Sequence, residues 1–304
     1  MAKILFWNVN KKDLSTAAVA ICAEYQPDIA IFCELSHSEQ FERALGQPPL
    51  AYWHLKGPAT DCTIGVFTRY GSNLLRVRTD DERHLVLECN EPGRQSLRIV
   101  ALHLPSKLYK DDGSQQGDGE RLLGKIVRWE TQDGDRRTVL VGDFNANPFE
   151  RALLDCKSFH AMPTERLANE ISRTVGGEEY LFFYNPMWRF FGDAEGRTPG
   201  TYFWRSSSDS LPMWNVFDQV LVRPQLSGSI VSIRIIDRFA ETSLLNHLGR
   251  PDTEQFSDHL PIFCDLISPV DGQRQKDESD DNRQCLAGIH QETSSGSVST
   301  GDPK

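Results

Sequence analysis

The stretch Val139-Leu140-Val141-Gly142-Asp143-Phe144-Asn145 sets an acid and an amide two residues apart at the end of an apolar run of strand character. A strand end is rigid, so both polar heads lose little freedom on meeting a substrate. An acid that takes a proton from water, beside an amide that orients water or phosphate, is a hydrolytic pair. The same spacing also suits ordinary turn chemistry. The choice depends on what the other strands end in. Asn8 closes the run Ile4–Trp7, Glu34 closes Ile29–Cys33, and His103 closes Leu97–Leu102. Asp218 lies inside the run Val216–Val222, and Asp258-His259 precedes Leu260–Leu266. Each residue alone reads equally well as a turn, a satisfied core histidine, an edge-strand acid or a strand entry. Together they place acids, amides and two imidazoles where strand ends of a sandwich converge on one rim.

The elements that must carry these groups follow from patterning. Continuous apolar runs at 4–7 and 29–33 predict strands covered on both faces. Between them, Leu14, Ala17, Ala18, Ile21 and Cys22 predict a helix capped by Asp13 and stopped by Pro27. Ser36-His37-Ser38-Glu39 predicts a capping box opening the next helix. Strands are expected at Thr63–Thr68, His84–Cys89 and Leu97–Leu102. Residues 109–119 are expected as a loop and about 120–131 as a helix with Leu122, Leu123, Ile126, Val127 and Trp129 inward. A short helix ends near Leu154, Ile230–Ile236 reads as a strand, and Arg238–Leu248 reads as a helix. Ten aromatics fall within Tyr180–Trp204 against 10% overall, a density that calls for packing or for a stacking wall.

The chain has 304 residues and a net charge of −10, which argues against a module that grips nucleic acid through a broad basic surface. It leaves room for an acidic metal site with a basic rim. Seven scattered Cys, with no C-x-x-C pair, predict free thiols rather than a disulfide framework or structural zinc. The start lacks a signal-peptide pattern and no apolar run reaches the length of a membrane span. The expectation is a soluble cytoplasmic protein. Residues 1–268 read as one α/β domain and 269–304 as a disordered polar tail.

At this point the sequence resembles the endonuclease/exonuclease/phosphatase (DNase I-like) superfamily, from Ile4 to Leu266. Gly142-Asp143-Phe144-Asn145 looks like its GDFN motif and Ser257-Asp258-His259 like its SDH motif. Asn8, Glu34, His103 and Asp218 match its first-strand Asn, metal-binding Glu, recurrent His and strand Asp. Three positions depart. Cys33 stands where many members have Gln, Asn10 where abasic-site nucleases have Asp, and Asn215-Val216-Phe217 where phosphoinositide phosphatases have a Trp-Cys-Asp-Arg motif.

The resemblance implies a four-layer sandwich, two packed mixed β-sheets flanked by helices, with the site at one rim. It implies that Glu34, supported by Asn8 and Asp258, binds Mg²⁺ or Mn²⁺. Asp143 would deprotonate water and Asn145 would hold water or phosphate. His259, oriented by Asp218, would donate to a phosphate oxygen, and His103 would bond phosphate or protonate the leaving group. Lys107 and Arg69, with Asn10 and Trp204, are the candidate substrate contacts; Lys11, Lys12 and Lys110 lie in the same loops. The expected activity is a metal-dependent phosphodiesterase, a nuclease on DNA or RNA. The alternatives are a phosphodiesterase or phosphatase on a smaller ester, including a phosphotyrosyl–DNA link, or a catalytically weak binding module. Nucleic acid is the expected partner, with no membrane partner.

Overall fold

Two apolar runs that bury both faces need cover on both sides, and the computed structural model supplies it with sheets and helices. It describes residues 2–57, 59, 62–106, 112–193, 197–205 and 212–267. In order these are β1 (Ala2–Asn8), α1 (Ser15–Tyr25), β2 (Ile29–Cys33), α2 (Ser38–Leu45), β3 (Trp53–Leu55), β4 (Gly65–Thr68), β5 (Leu75–Asp80), β6 (His84–Cys89) and β7 (Leu97–His103). Then come α3 (Asp112–Asp133), β8 (Thr138–Asp143), α4 (Arg151–Leu154), β9 (Ala161–Met162), α5 (Glu165–Ala168), β10 (Ser172–Val175), β11 (Glu178–Leu181) and β12 (Phe183–Tyr184). The last are β13 (Tyr202–Phe203), β14 (Trp214–Asn215), β15 (Asp218–Val222), β16 (Ile230–Ile235), β17 (Arg238–Phe239), β18 (Thr242–Ser243) and β19 (Ile262–Leu266).

One sheet runs β16-β19-β1-β2-β4-β3 and the other β5-β6-β7-β8-β15-β12-β9. Both are mixed: β1 with β2 and β7 with β8 are parallel, while β8 with β15 and β1 with β19 are antiparallel. Ile4, Phe6, Ile29 and Ile31 of the first sheet pack with Val139, Val141, Val220 and Val222 of the second. Their strand neighbours Leu5, Trp7, Ala30 and Phe32 point the other way, under Ala18, Ile21, Phe41 and Leu45 of α1 and α2. Val100, Leu102 and Leu140 likewise lie under Leu122 and Ile126 of α3. This is the α/β four-layer sandwich, and its inner strands read as unbroken apolar runs because neither face meets water.

Register brings the polar strand ends together. Asn8 sits beside Cys33, His103 beside Asp143, and Asp143 beside Asp218. Asp218 therefore opens β15 rather than lying inside a strand. Gly142 allows β8 to approach β7 closely, since a Cβ there would stand 2.0 Å from the Leu102 carbonyl oxygen.

Several local expectations fail for physical reasons. Arg238–Leu248 is not a helix but the ribbon β17–β18, with Ala240 in the left-handed region and the Ser243 hydroxyl bonded to the Leu245 amide. Burial of Phe239 and Leu244 against the α1 layer outweighs the helical spacing. The helix expected at 120–131 begins earlier, at Asp112, because Gln115 donates to the carbonyls of Pro105 and Asn145 at 3.1 and 2.9 Å and pins the first turns. The capping box is not formed: His37 is the N-cap of α2 and makes no side-chain bond there. The N-cap of α1 is Leu14 rather than Asp13, although Asp13 Oδ1 accepts from the Ser15 amide at 3.2 Å. Strands β3 and β5 had no expected counterpart. Residues 269–304, Lys107 and Lys110 lie outside the described residues.

His160 is fully buried, and neither ring nitrogen has a hydrogen-bond partner of good geometry. Burial, then the Arg173 charge, pushes its pKa down to about 4, with only partial compensation from the backbone at Leu181 and Tyr180. The unfolded chain takes up this proton near pH 6.5 and the folded chain does not until about pH 4. Stability should fall as pH drops between those values. In urea titrations, His160→Leu should flatten that loss; an unchanged slope would assign the pH dependence to other groups.

Candidate active site

Six strand ends or strand entries meet at one rim. The Asn8 amide nitrogen donates to Asp143 Oδ2 at 3.0 Å and to Glu34 Oε1 at 3.4 Å, and its Oδ1 accepts from the Asn10 amide at 3.0 Å. One side-chain amide thus bridges two carboxylates from different sheets. Glu34 and Asn10 both adopt left-handed backbone, with φ of 52° and 47°. Such conformations cost energy for residues with a Cβ and cluster at functional sites.

Asp143 is 1% exposed and accepts from the Asn145 amide at 2.8 Å. The Asn145 side chain donates to the Leu104 carbonyl at 2.8 Å, so one of its amide protons is already committed to holding the loop after His103. His103 Nε2 stands 3.6 Å from Glu34 Oε1 and 3.8 Å from Asp143 Oδ2, beyond hydrogen-bond range of both.

His259 Nδ1 lies 2.8 Å from Asp218 Oδ2, and its Nε2 lies 3.8 Å from Asp143 Oδ2. The strand-entry segment is held by Ser257, whose hydroxyl donates to the Asn8 carbonyl at 2.6 Å and accepts from the His259 amide at 3.2 Å. Trp7 Nε1 donates to the His259 carbonyl at 2.9 Å. Burial alone would discharge His259, but Asp218 and Asp143 outweigh it and raise its pKa to about 10. Burial raises Asp218, and the imidazolium pulls it back, so the pair shares one proton as a unit.

The structure brings together Asn8, Asn10, Glu34, His103, Asp143, Asn145, Asp218 and His259, and Asp258 adjoins them through Ser257. It does not bring Arg69. That residue follows β4, whose Thr68 pairs with Ile29 at the opposite end of β2 from Glu34. Its guanidinium bonds the Gln26 carbonyl and Asp28 instead. Lys12 is spent on the carbonyls of Thr253 and Phe256.

The aromatic stretch divides. Phe182, Phe183, Tyr184 and Phe190 are buried, whereas Trp204 is 44% exposed. Tyr202 packs on His259 with centroids 4.6 Å apart and lies parallel to Trp204, 8° between planes. Burial, then Asp258, Asp143 and Glu34, raises the Tyr202 pKa, so a neutral phenol lines the site. Sequence reasoning placed Tyr202 only within the aromatic stretch and gave no role to Thr201, whose hydroxyl accepts from the amides of Phe217 and Asp218. Tyr202 opens β13 and pairs with Asn215, a pairing between distant segments that local patterning does not show.

Among the described residues, ligand-type atoms of Asp143, Asp218 and His259 all lie within 4.8 Å of one another. Asp218 and one His259 nitrogen are spent on each other there. The side facing Glu34 is different: two carboxylates meet around a neutral amide, an excess of negative charge that suits a hard divalent cation with oxygen ligands.

A profile of the Endonuclease/Exonuclease/phosphatase family matches residues 5–259. The chain belongs to that family. Its members are metal-dependent hydrolases, and the matched span contains every residue of the rim described above. No curated protein sequence matches the chain. Among solved structures, the human Nocturnin catalytic domain with bound sulfate is 17% identical, with 88% of this chain and 94% of that chain covered and a TM-score of 0.54. The 3′ phosphatase NExo from Neisseria, bound to product DNA hairpin, is 16% identical over 88% of this chain and all of its own, with a TM-score of 0.52. A humanized D. rerio TDP2 is 17% identical over 88% and 99%, with a TM-score of 0.50. At such identities these likenesses establish the DNase I-like fold. No helix among the described residues is long and apolar enough to cross a membrane.

Proposed function

We propose that the protein is a Mg²⁺- or Mn²⁺-dependent phosphodiesterase acting on nucleic acid, a nuclease of cytoplasmic setting. The observation that carries the reading is the hydrogen-bonded group Glu34–Asn8–Asp143 with the bonded pair His259–Asp218 3.8 Å from Asp143, and an exposed aromatic step beside them. Glu34 would hold the cation, supported by Asn8 and Asp258. Bound there, a divalent cation polarises a phosphate oxygen and offsets charge on the leaving oxygen.

The chain's own groups do the rest. Asp143 aligns the attacking water and takes its proton, and Asn145 shapes the loop against which water and phosphate rest. The imidazolium of His259 donates from Nε2 to a phosphate oxygen, while Asp218 fixes the ring through Nδ1. His103, unbonded to either neighbouring acid, is placed to donate to the leaving oxygen. The buried thiols of Cys22, Cys33, Cys89 and Cys264 accord with a reducing compartment.

Incubation of the protein with Mg²⁺ or Mn²⁺ and plasmid, single-stranded oligonucleotide, RNA and a nitrophenyl phosphodiester tests this. Nucleic-acid cleavage abolished by EDTA is expected. Turnover of the small ester alone would replace the nuclease reading with one of a compact phosphate ester. Trp204 offers a base-stacking face, worth about 1–3 kcal/mol per base. Trp204→Ala should therefore raise KM for an oligonucleotide roughly 5- to 150-fold and leave the nitrophenyl ester unaffected. Equal loss on both substrates would remove Trp204 from recognition.

A further inference from the structure

Outside the catalytic network, the outer face of α3 carries Arg121, Lys125 and Arg128 at i, i+4 and i+7, the spacing of one helix face. Their opposite stripe, Leu122 and Ile126, is buried in the core. The side chains of Arg121 and Lys125 are 70% and 46% exposed, and Arg128 is exposed with no ion-pair partner among the described residues. In a chain of net charge −10 this sets three cations along one helix face.

Its place in the fold gives it meaning. Gln115 ties the start of α3 to the Asn145 carbonyl at the rim, and Asp133 at its end pairs with Arg98 at the start of β7. The helix therefore leaves the catalytic rim and runs away along the sheet. A cleft of about 530 Å³ opens between Arg121 and Lys125 on one side and Arg83 on the other, walled by Leu104 and Pro105. The His103 amide donates to the Arg83 carbonyl at 2.9 Å, so this cleft lies one strand beyond His103.

We infer that the cleft and the α3 stripe form an exosite for the sugar–phosphate backbone of a strand leaving the catalytic rim past His103. The inference rests on the nucleic-acid reading above and extends it to a substrate with several phosphates on one flank. Seven residues at 1.5 Å each put Arg121 and Arg128 about 10 Å apart along the helix, the reach of two or three phosphates. Asp118, Asp81 and Glu82 line the same cleft and pair with Arg121, Lys125 and Arg83. The Lys125–Asp81 pair is exposed on both sides and contributes little, so Lys125 exchanges a carboxylate for a phosphate at small cost. Asp118 is only 13% exposed and keeps Arg121, whose guanidinium is 70% exposed and has further N–H donors for a phosphate.

The test is the triple variant Arg121→Gln, Lys125→Gln, Arg128→Gln of the full chain. A fluorescent 20-nucleotide single strand in EDTA reports affinity by anisotropy between 50 and 200 mM salt. Three lost phosphate contacts should weaken binding at least 10-fold and reduce the slope of log affinity against log salt by about 2. Turnover of the nitrophenyl phosphodiester in Mg²⁺ or Mn²⁺ should be unchanged. A control pair on other surfaces, Arg43→Gln with Arg238→Gln, should keep wild-type affinity and slope. Unaltered affinity and slope in the triple variant, or an equal loss in the control, would overturn the exosite while wild-type cleavage of oligonucleotides leaves the nuclease reading standing. Wild-type protein that neither binds nor cleaves the strand and turns over only the small ester would overturn both. Retention by phosphatidylserine vesicles without oligonucleotide binding would overturn the exosite in favour of a membrane surface.

Discussion

Asp143→Asn is expected to lower kcat by about 10²- to 10⁴-fold, the usual contribution of a positioned general base. The substitution keeps the shape of the side chain and an oxygen for the Asn145 amide, which Asp143 now accepts at 2.8 Å. It removes one negative charge from a rim where Glu34 and Asp143 share a single amide bridge. It also turns Oδ2, which accepts from the Asn8 amide at 3.0 Å, into an NH2 facing another NH2. The relieved repulsion and the lost bond oppose each other, so thermal denaturation should show a Tm within about 4 °C of the wild type. KM should change little, because the loss falls on proton transfer. Retention of activity within about tenfold would mean that Asp143 does not activate water and would sink the assignment of the rim.

The largest expected effect on stability lies behind the site. Arg223, at the end of β15, is 1% exposed. It donates to both oxygens of Glu130 at 2.9 Å and to the Phe182 carbonyl at 3.0 Å, with its guanidinium 3.9 Å over the Phe183 ring. Both side chains of the pair are 1% exposed, so neither can turn to water. Arg223→Ala leaves the Glu130 carboxylate buried and alone, which costs about 3–5 kcal/mol. That corresponds to a fall in Tm of roughly 6–20 °C. Replacing both partners, Arg223→Met with Glu130→Leu, should recover most of the loss, because two apolar side chains need no pairing. A single-variant Tm within about 2 °C of wild type would show that water reaches Glu130 and that the pair ties α3 to β15 only weakly.

Much of the layered fold could be read from local patterning. The runs at 4–7, 29–33 and 139–141 are apolar without alternation because both faces of each strand are covered, and that local property announces a buried sheet. The strand ends Asn8, Glu34, His103 and Asp143 were visible for the same reason: each polar residue breaks an apolar run. Short elements were hidden. Strand β3 is three residues long, and β17–β18 pairs two residues with two. Such pieces are held by contacts distant in sequence rather than by their own preference. The first turns of α3 carry Gly117 and Gly119, poor helix formers. They are helical because Gln115 is anchored at the rim and Gly119 lies against Ser158.

By itself the sequence determined which residues are chemically able and which strands end in them, since residue type and hydrophobic period are local quantities. The tertiary structure decided which of them meet. Parallel pairing of β1 with β2 and of β7 with β8 puts Asn8 by Glu34 and His103 by Asp143, while antiparallel pairing sets Asp218 opposite Asp143. The same register sends Arg69, at the other end of its strand, away from them. Which end of a strand faces the rim depends on its direction in the sheet, and direction is a property of pairing between distant segments.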